Sequence, residues 1–215
     1  MSIKKNLDDI VYDNICQGFV GGAYVAGMRL DPAVLAAEFQ VSRTPVVQAL
    51  KRMSNEHITE VTKGGKYIIP VATKETVTQI CEARLLFEEN ALCTLCDVIT
   101  EDQLIILQYM AGKCSQDFQE ESFDDYFLDD LKFHRKIVEF AGNEVLNVLF
   151  ETLMNRYMVI RATGGICLRH SEEACREHGS IVEALGKRSK KDVRQIIRKH
   201  LGAIQFRLET SENGK

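Results

Sequence analysis

Asp130 and His134 stand four residues apart in the run DDLKFHRKI. At that spacing both side chains project from one face of a helix. Two more histidines, His178 in REHGSIVEAL and His200 in RKHLGAI, lie beside apolar stripes on later helical segments. One carboxylate and three imidazoles meeting in a bundle core are donors suited to a divalent transition metal. Binding would require neutral imidazoles and would order the bundle around the ion. The alternative is three histidines satisfied separately at helix surfaces, and spacing alone favours it. His170, next to Ser171, reads as a loop residue. Asp129 points about 100° away from Asp130 and so leaves that face. Three histidines and an aspartate could also activate a water in a metal-dependent hydrolase. Against that reading, no further carboxylate is placed as a general base and no nucleophile motif occurs.

A different chemistry is written into VSRTPVVQAL, residues 41–50. With Val46, Ala49, Leu50 and Met53 facing inward, the outward positions are Thr44, Val47, Gln48, Lys51 and Arg52, preceded by Ser42 and Arg43. A reading helix presents such residues to base edges in the major groove. Arg43 suits guanine, Gln48 adenine and the Val47 side chain a thymine methyl. Ser42, Thr44, Lys51 and Arg52 are phosphate partners, as the helix N-terminus itself is. Lys63 and Lys66 flank a turn at Gly64-Gly65 and could grip the DNA backbone. Arg29 and Gly65 complete the candidate DNA contacts.

These residues need elements to hold them. Leu7, Ile10, Val11, Ile15 and Phe19 recur at helical spacing until Gly21-Gly22. Asp31-Pro32 signals a helix start, and Thr44-Pro45 repeats the signal a few residues later. Then ITEVTKGGKYIIPV turns to β-branched runs around a glycine pair, which predicts a hairpin. Three helices and a hairpin are the layout of a winged helix-turn-helix. All three prolines (Pro32, Pro45 and Pro70) precede residue 71. The rest of the chain reads as helices over 74–97, 100–117, 122–141, 143–163, 171–187 and 189–210, with Thr73, Thr100, Ser122, Asn143 and Ser171 at cap positions. The expected fold is therefore mainly α: a winged helix-turn-helix over 1–72 and an all-α helical bundle over 73–212.

Composition narrows the classes. The net charge of −4 is unevenly spread: residues 1–72 carry 8 Lys+Arg against 7 Asp+Glu, and the rest 19 against 24. A near-neutral first segment can still bind DNA if its cations share a face. No apolar run approaches the ~20 residues of a membrane span, and acids interrupt the N-terminal hydrophobic positions, so no secretory signal is read there. Seven scattered cysteines then indicate reduced thiols and a cytoplasmic setting. The Cys93–Cys96 pair lies inside a helical pattern and reads as packing.

The run LAAEFQVSRTPVVQALKRM, together with KGGKYIIPV after it, resembles the DNA-binding domain of GntR-family bacterial transcription regulators, across residues 27–71. The chain departs from that pattern at Val47-Gln48, where relatives carry Arg-Glu and use the arginine on DNA. Operator sequence and affinity therefore do not carry over. His57 replaces a glycine usual before the wing. Residues 74–210 resemble the FCD ligand-binding domain of the FadR subfamily. The match rests on EARLLFE with Arg84 and Glu88, DxxFH with Asp130 and His134, AGN with Asn143, EHGSIVEAL with His178, and the late His200. The resemblance implies a divalent metal, zinc or nickel, on Asp130, His134, His178 and His200, helping to hold a small organic acid effector. Arg84 ranks first among effector partners, ahead of Arg156 and Arg161, with Asn143 and Tyr157 behind. A structural ion pair between Arg84 and Glu88 is the alternative for that arginine. The implied protein is no enzyme. It is a homodimeric regulator of a palindromic double-stranded operator whose affinity the effector changes. A metal that is only structural, or is itself the signal, is the variant of that reading.

Overall fold

The structure is a computed structural model of the chain and describes residues 6–164 and 171–210. Among the candidate residues, Cys167, His170 and the side chain of Arg161 lie outside the described residues. The chain divides into two compact units. The first runs to Ala72 and takes in the stretch from Asn155 onward; the second holds Thr73–Met154 and the helices after residue 170.

In the first unit, α1 (Leu7–Val20), α2 (Pro32–Glu38) and α3 (Arg43–Asn55) enclose a core in which Ile15, Phe19, Leu35, Val46, Leu50 and Met53 are buried. Their spacing is what makes each helix one-sided. The Asp31 carboxylate accepts from the Ala33 amide at 2.9 Å, so Asp31-Pro32 does open α2. The second cap signal belongs slightly earlier than the sequence suggests. Ser42, not Thr44, is the N-cap of α3, and Pro45 is its third residue. A proline is tolerated there because first-turn amides have no intrahelical acceptor to lose.

The wing is formed by β2 (Glu60–Val61) and β3 (Tyr67–Ile68), antiparallel with Val61 opposite Tyr67. The Thr62 amide donates to the Lys66 carbonyl at 2.9 Å, closing a turn in which Gly65 takes φ 73°. A third strand, β1 (Arg29–Leu30), pairs with the other edge of β3, giving the order β1-β3-β2. Two residues carry no readable alternation, so sequence patterning misses it.

The second unit packs α4 (Lys74–Val98), α5 (Glu101–Gln119), α6 (Phe123–Phe140), the start of α7 (Glu144–Gly164), α8 (Ser171–Gly186) and α9 (Lys190–Thr210). Thr73 caps α4, Thr100 and Gln103 form a capping box on α5, and the Asn143 side chain accepts from the Leu146 amide at the start of α7. Ser122 precedes α6 but makes no side-chain cap bond. Within this unit α4 packs against α9 and α6, and α8 packs against α5 and α9, so α4, α6, α8 and α9 surround a common interior. Cys93 and Cys96 are free thiols within α4, Cys96 packed in the core. No helix among the described residues is long and apolar enough to cross a membrane.

His57, just after α3, has φ 57° while its amide donates to the Ser54 carbonyl. Left-handed backbone costs a residue with a side chain roughly 1–2 kcal/mol, part of which glycine gives back through its freedom in the unfolded chain. His57→Gly is therefore expected to stabilise the chain by about 0.5–1 kcal/mol in urea unfolding. A loss of stability would show instead that the imidazole contributes to the fold.

Candidate metal centre and nucleic-acid interface

Four potential ligands converge from three helices of the second unit. Asp130 and His134 come from α6, His178 from α8 and His200 from α9, all buried, with ligand atoms within 4.8 Å of one another. His134 Nε2 lies 3.2 Å from His200 Nε2 and 3.8 Å from Asp130 Oδ1. His178 Nε2 is 3.4 Å from the same aspartate oxygen. The His178 ring leans on Phe133, centroids 4.5 Å apart, which fixes its plane by packing.

The far side of two of these rings explains the protonation pattern. His134 Nδ1 meets Glu88 Oε2 at 2.6 Å, and His200 Nδ1 meets Glu177 Oε2 at 2.9 Å. With each carboxylate accepting the hydrogen bond from Nδ1–H, Nε2 is left as the bare nitrogen of the ring. Two bare nitrogens therefore face each other at 3.2 Å. In that tautomer the contact repels unless a proton or a metal cation lies between them. Both nitrogens of His178 are also buried and without a hydrogen-bond partner. A buried imidazole so placed is costly, and coordination would satisfy it. The donor set, one oxygen and three nitrogens, fits a divalent transition ion.

Electrostatics favour the same state. Burial pushes His134 below its ordinary range despite the Glu88 carboxylate beside it. His178 goes well below, through burial and then the neighbouring His200. Burial alone would raise Glu88, but Arg84 and His134 outweigh it and bring it down to about 2. Glu177 is lowered too, because the bonds to His200 and Lys199 overcome the effect of burial. Burial, and after it the Asp130 carboxylate, holds the Cys114 and Cys175 thiols protonated, Cys175 raised to about 12.

Arg84 is fully buried and donates through Nε to Glu88 Oε1 at 2.8 Å. The alternative role for Arg84, an ion pair one turn along α4, is thus present, and Glu88 carries it on to His134. Asn143 is exposed and spends its side-chain oxygen capping α7. Arg156 and buried Tyr157 lie on the part of α7 that belongs to the first unit. Glu177 was invisible to spacing arguments. It adjoins His178 in sequence, about 100° round the helix, and reaches its partner only through the packing of α8 on α9.

On α3, Ser42, Arg43, Thr44, Gln48 and Lys51 are exposed and Val47 is half-buried, while Pro45, Val46, Ala49, Leu50 and Met53 face the core. Lys63, Gly65 and Lys66 are exposed at the wing turn. Two of the expected DNA contacts are engaged at home. Arg52 donates to Glu56 at 2.9 Å and to Asp9 at 3.1 Å, with its guanidinium 4.2 Å over the Tyr12 ring. Tyr12 donates to Glu56 at 2.5 Å. Arg29 pairs with Asp31 at 2.9 Å.

Residues 79–203 match the FCD domain family, and residues 7–67 match the bacterial regulatory proteins of the gntR family. The chain is similar to the uncharacterized HTH-type transcriptional regulator YdhC of Bacillus subtilis, 24% identical over 193 residues covering 88% of this chain and 85% of that one. It is 27% identical to the gluconate operon transcriptional repressor of the same organism, over 62% of this chain and 55% of that one. In structure it resembles E. coli McbR/YncC with a TM-score of 0.84 at 20% identity, covering 97% of this chain and 100% of the other. The chain belongs to the FCD-domain family with a gntR-type DNA-binding domain ahead of it: a transcription regulator, not an enzyme.

The histidines set a pH dependence for the metal-free chain. The folded values of His134 and His178 lie below the ordinary 6.5, so the unfolded chain binds more protons there. Their stability is fully present above about pH 6.5 and is lost as pH falls below it. The melting temperature should be flat from pH 8 to 7 and drop steadily toward pH 5. A curve unchanged across that span would mean these rings are not buried neutral.

Proposed function

We propose that this FCD-domain regulator binds a divalent metal ion, zinc or nickel, on Asp130, His134, His178 and His200, and that a small carboxylate effector binding at that site modulates operator affinity. The observation that carries the reading is the pair of bare Nε2 atoms 3.2 Å apart beside a doubly unpartnered His178. Four protein donors leave positions that an octahedral ion would fill from solvent or ligand. Charge points the same way. Arg84 and Glu88 form a neutral pair, so among the four ligands Asp130 alone offers a negative charge to an ion of two positive charges. One anionic oxygen ligand completes the balance. When bound, the ion would supply Lewis acidity that anchors a carboxylate. The chain's own Glu88 and Glu177 hold the His134 and His200 rings in one tautomer.

On DNA, Arg43 and Gln48 are read as base contacts with Val47 between them. Ser42, Thr44, Lys51, Lys63, Lys66 and the Gly65 amide contact the backbone. Arg29 and Arg52 would reach phosphate only by giving up Asp31 and the Asp9–Glu56 pair. A homodimer on a palindromic operator, acting as a repressor as the gluconate operon relative's name describes for that protein, is the accompanying expectation. The depth of burial of all four ligands favours one further reading, in which the ion is a structural clamp.

Metal analysis of the purified chain should find about one divalent ion per chain, lost in His178→Ala and Asp130→Ala. Organic acids should raise the melting temperature of the loaded protein and not of the chelated one; an equal response in both would leave the ion as a clamp. Arg43→Ala should cost about 1–3 kcal/mol of operator affinity and relax preference at one base position, whereas Lys51→Ala should weaken all sequences alike and flatten the salt dependence.

A further inference from the structure

Three histidines face the proposed ion, but their outer nitrogens are treated differently. His134 leans on Glu88, which is fully buried and backed by Arg84, itself enclosed. His178 has nothing on Nδ1. His200 leans on Glu177, whose other oxygen meets the exposed ammonium of Lys199 at 3.2 Å. Lys199 and His200 are consecutive on α9, and both hold the same carboxylate on α8. Lys199 also binds Glu173 one turn earlier at 2.8 Å. The outer support of His200 is therefore a small clamp between α8 and α9 that ends at the surface, whereas that of His134 ends in the core.

Resting on the metal reading above, we infer that Glu177 is a positioning residue for the ion. It holds His200 with Nε2 bare and directed at the site, and Lys199 holds Glu177 in turn. A histidine ring without such a partner rotates and samples the tautomer whose proton sits on the wrong nitrogen. Carboxylate partners of this kind also raise the basicity of the ring, and their loss typically lowers metal affinity about 10–100-fold. Glu177 is the member that can be tested cleanly. Removing Glu88 would strand the buried Arg84 charge and threaten the fold, while Lys199 is a surface residue able to return to water.

The test uses the full chain stripped of metal, with zinc as the probe in competition against a chromophoric chelator, and cobalt(II) absorption as a report of ligand geometry. Glu177→Ala is expected to weaken zinc about 10–100-fold and change the cobalt spectrum while leaving the melting temperature of the metal-free chain near the parent value. Glu177→Gln, which keeps an acceptor for Nδ1, should recover most of the affinity, and Lys199→Ala should lie between it and the parent. Zinc affinity within about twofold of the parent in Glu177→Ala overturns the inference while the metal site stands. So does a loss shared in full by Glu177→Gln together with a lower metal-free melting temperature, since that marks a packing role. A parent chain that binds neither ion overturns the metal reading and this inference with it.

Discussion

The buried pair Arg84–Glu88 on α4 is the constraint around which the second unit is organised. Neither group reaches solvent, so both were stripped of water, a cost that their mutual attraction repays only with good geometry and further hydrogen bonds. Glu88 supplies that geometry by using one oxygen for Arg84 and the other for His134. This arrangement stabilises the bundle less than a well-packed apolar pair would. Its effect is directional: a fixed charge in the core dictates which nitrogen of His134 bears the proton, and hence which one faces Asp130 and His200.

Much of this architecture was legible in the residues. The periodicity of the long helices, the Asp130–His134 spacing and the α4 Arg84–Glu88 spacing are local patterns, and local patterns survive translation into structure. What was not legible depends on helices crossing. Glu177 meets His200 across 23 residues of chain, and no period relates them. Strand β1 is too short to show a pattern, and the start of α3 shifted because Ser42 and Thr44 are both good caps while Pro45 fits either assignment. The engagement of Arg52 was hidden for the same reason: Asp9 and Tyr12 belong to α1, and only packing against α3 brings them to it.

The two halves thus use charge in opposite ways. Around the histidines, the charges of Arg84 and Glu88 are buried, paired and fixed. On α3 the aromatic ring of Tyr12 and the carboxylates of Glu56 and Asp9 neutralise Arg52 on the flank of the helix. The remaining cations, Arg43 and Lys51, are left exposed around the Val47-Gln48 pair that sets this chain apart from the family pattern. On the DNA reading proposed above, discrimination between operators would be concentrated in a short stretch of one helix.

The tip of the wing is built from few hydrogen bonds. β2 and β3 are two residues each, and the turn between them depends on the Thr62–Lys66 hydrogen bonds and one left-handed glycine. Short ladders open at low free-energy cost, and lysine side chains lose much rotamer freedom when immobilised. Each contact made by Lys63 or Lys66 is therefore offset by the entropy of stilling the turn that carries it. On the DNA reading proposed above, a tip with two exposed lysines would add affinity for any duplex and leave the choice of sequence to α3.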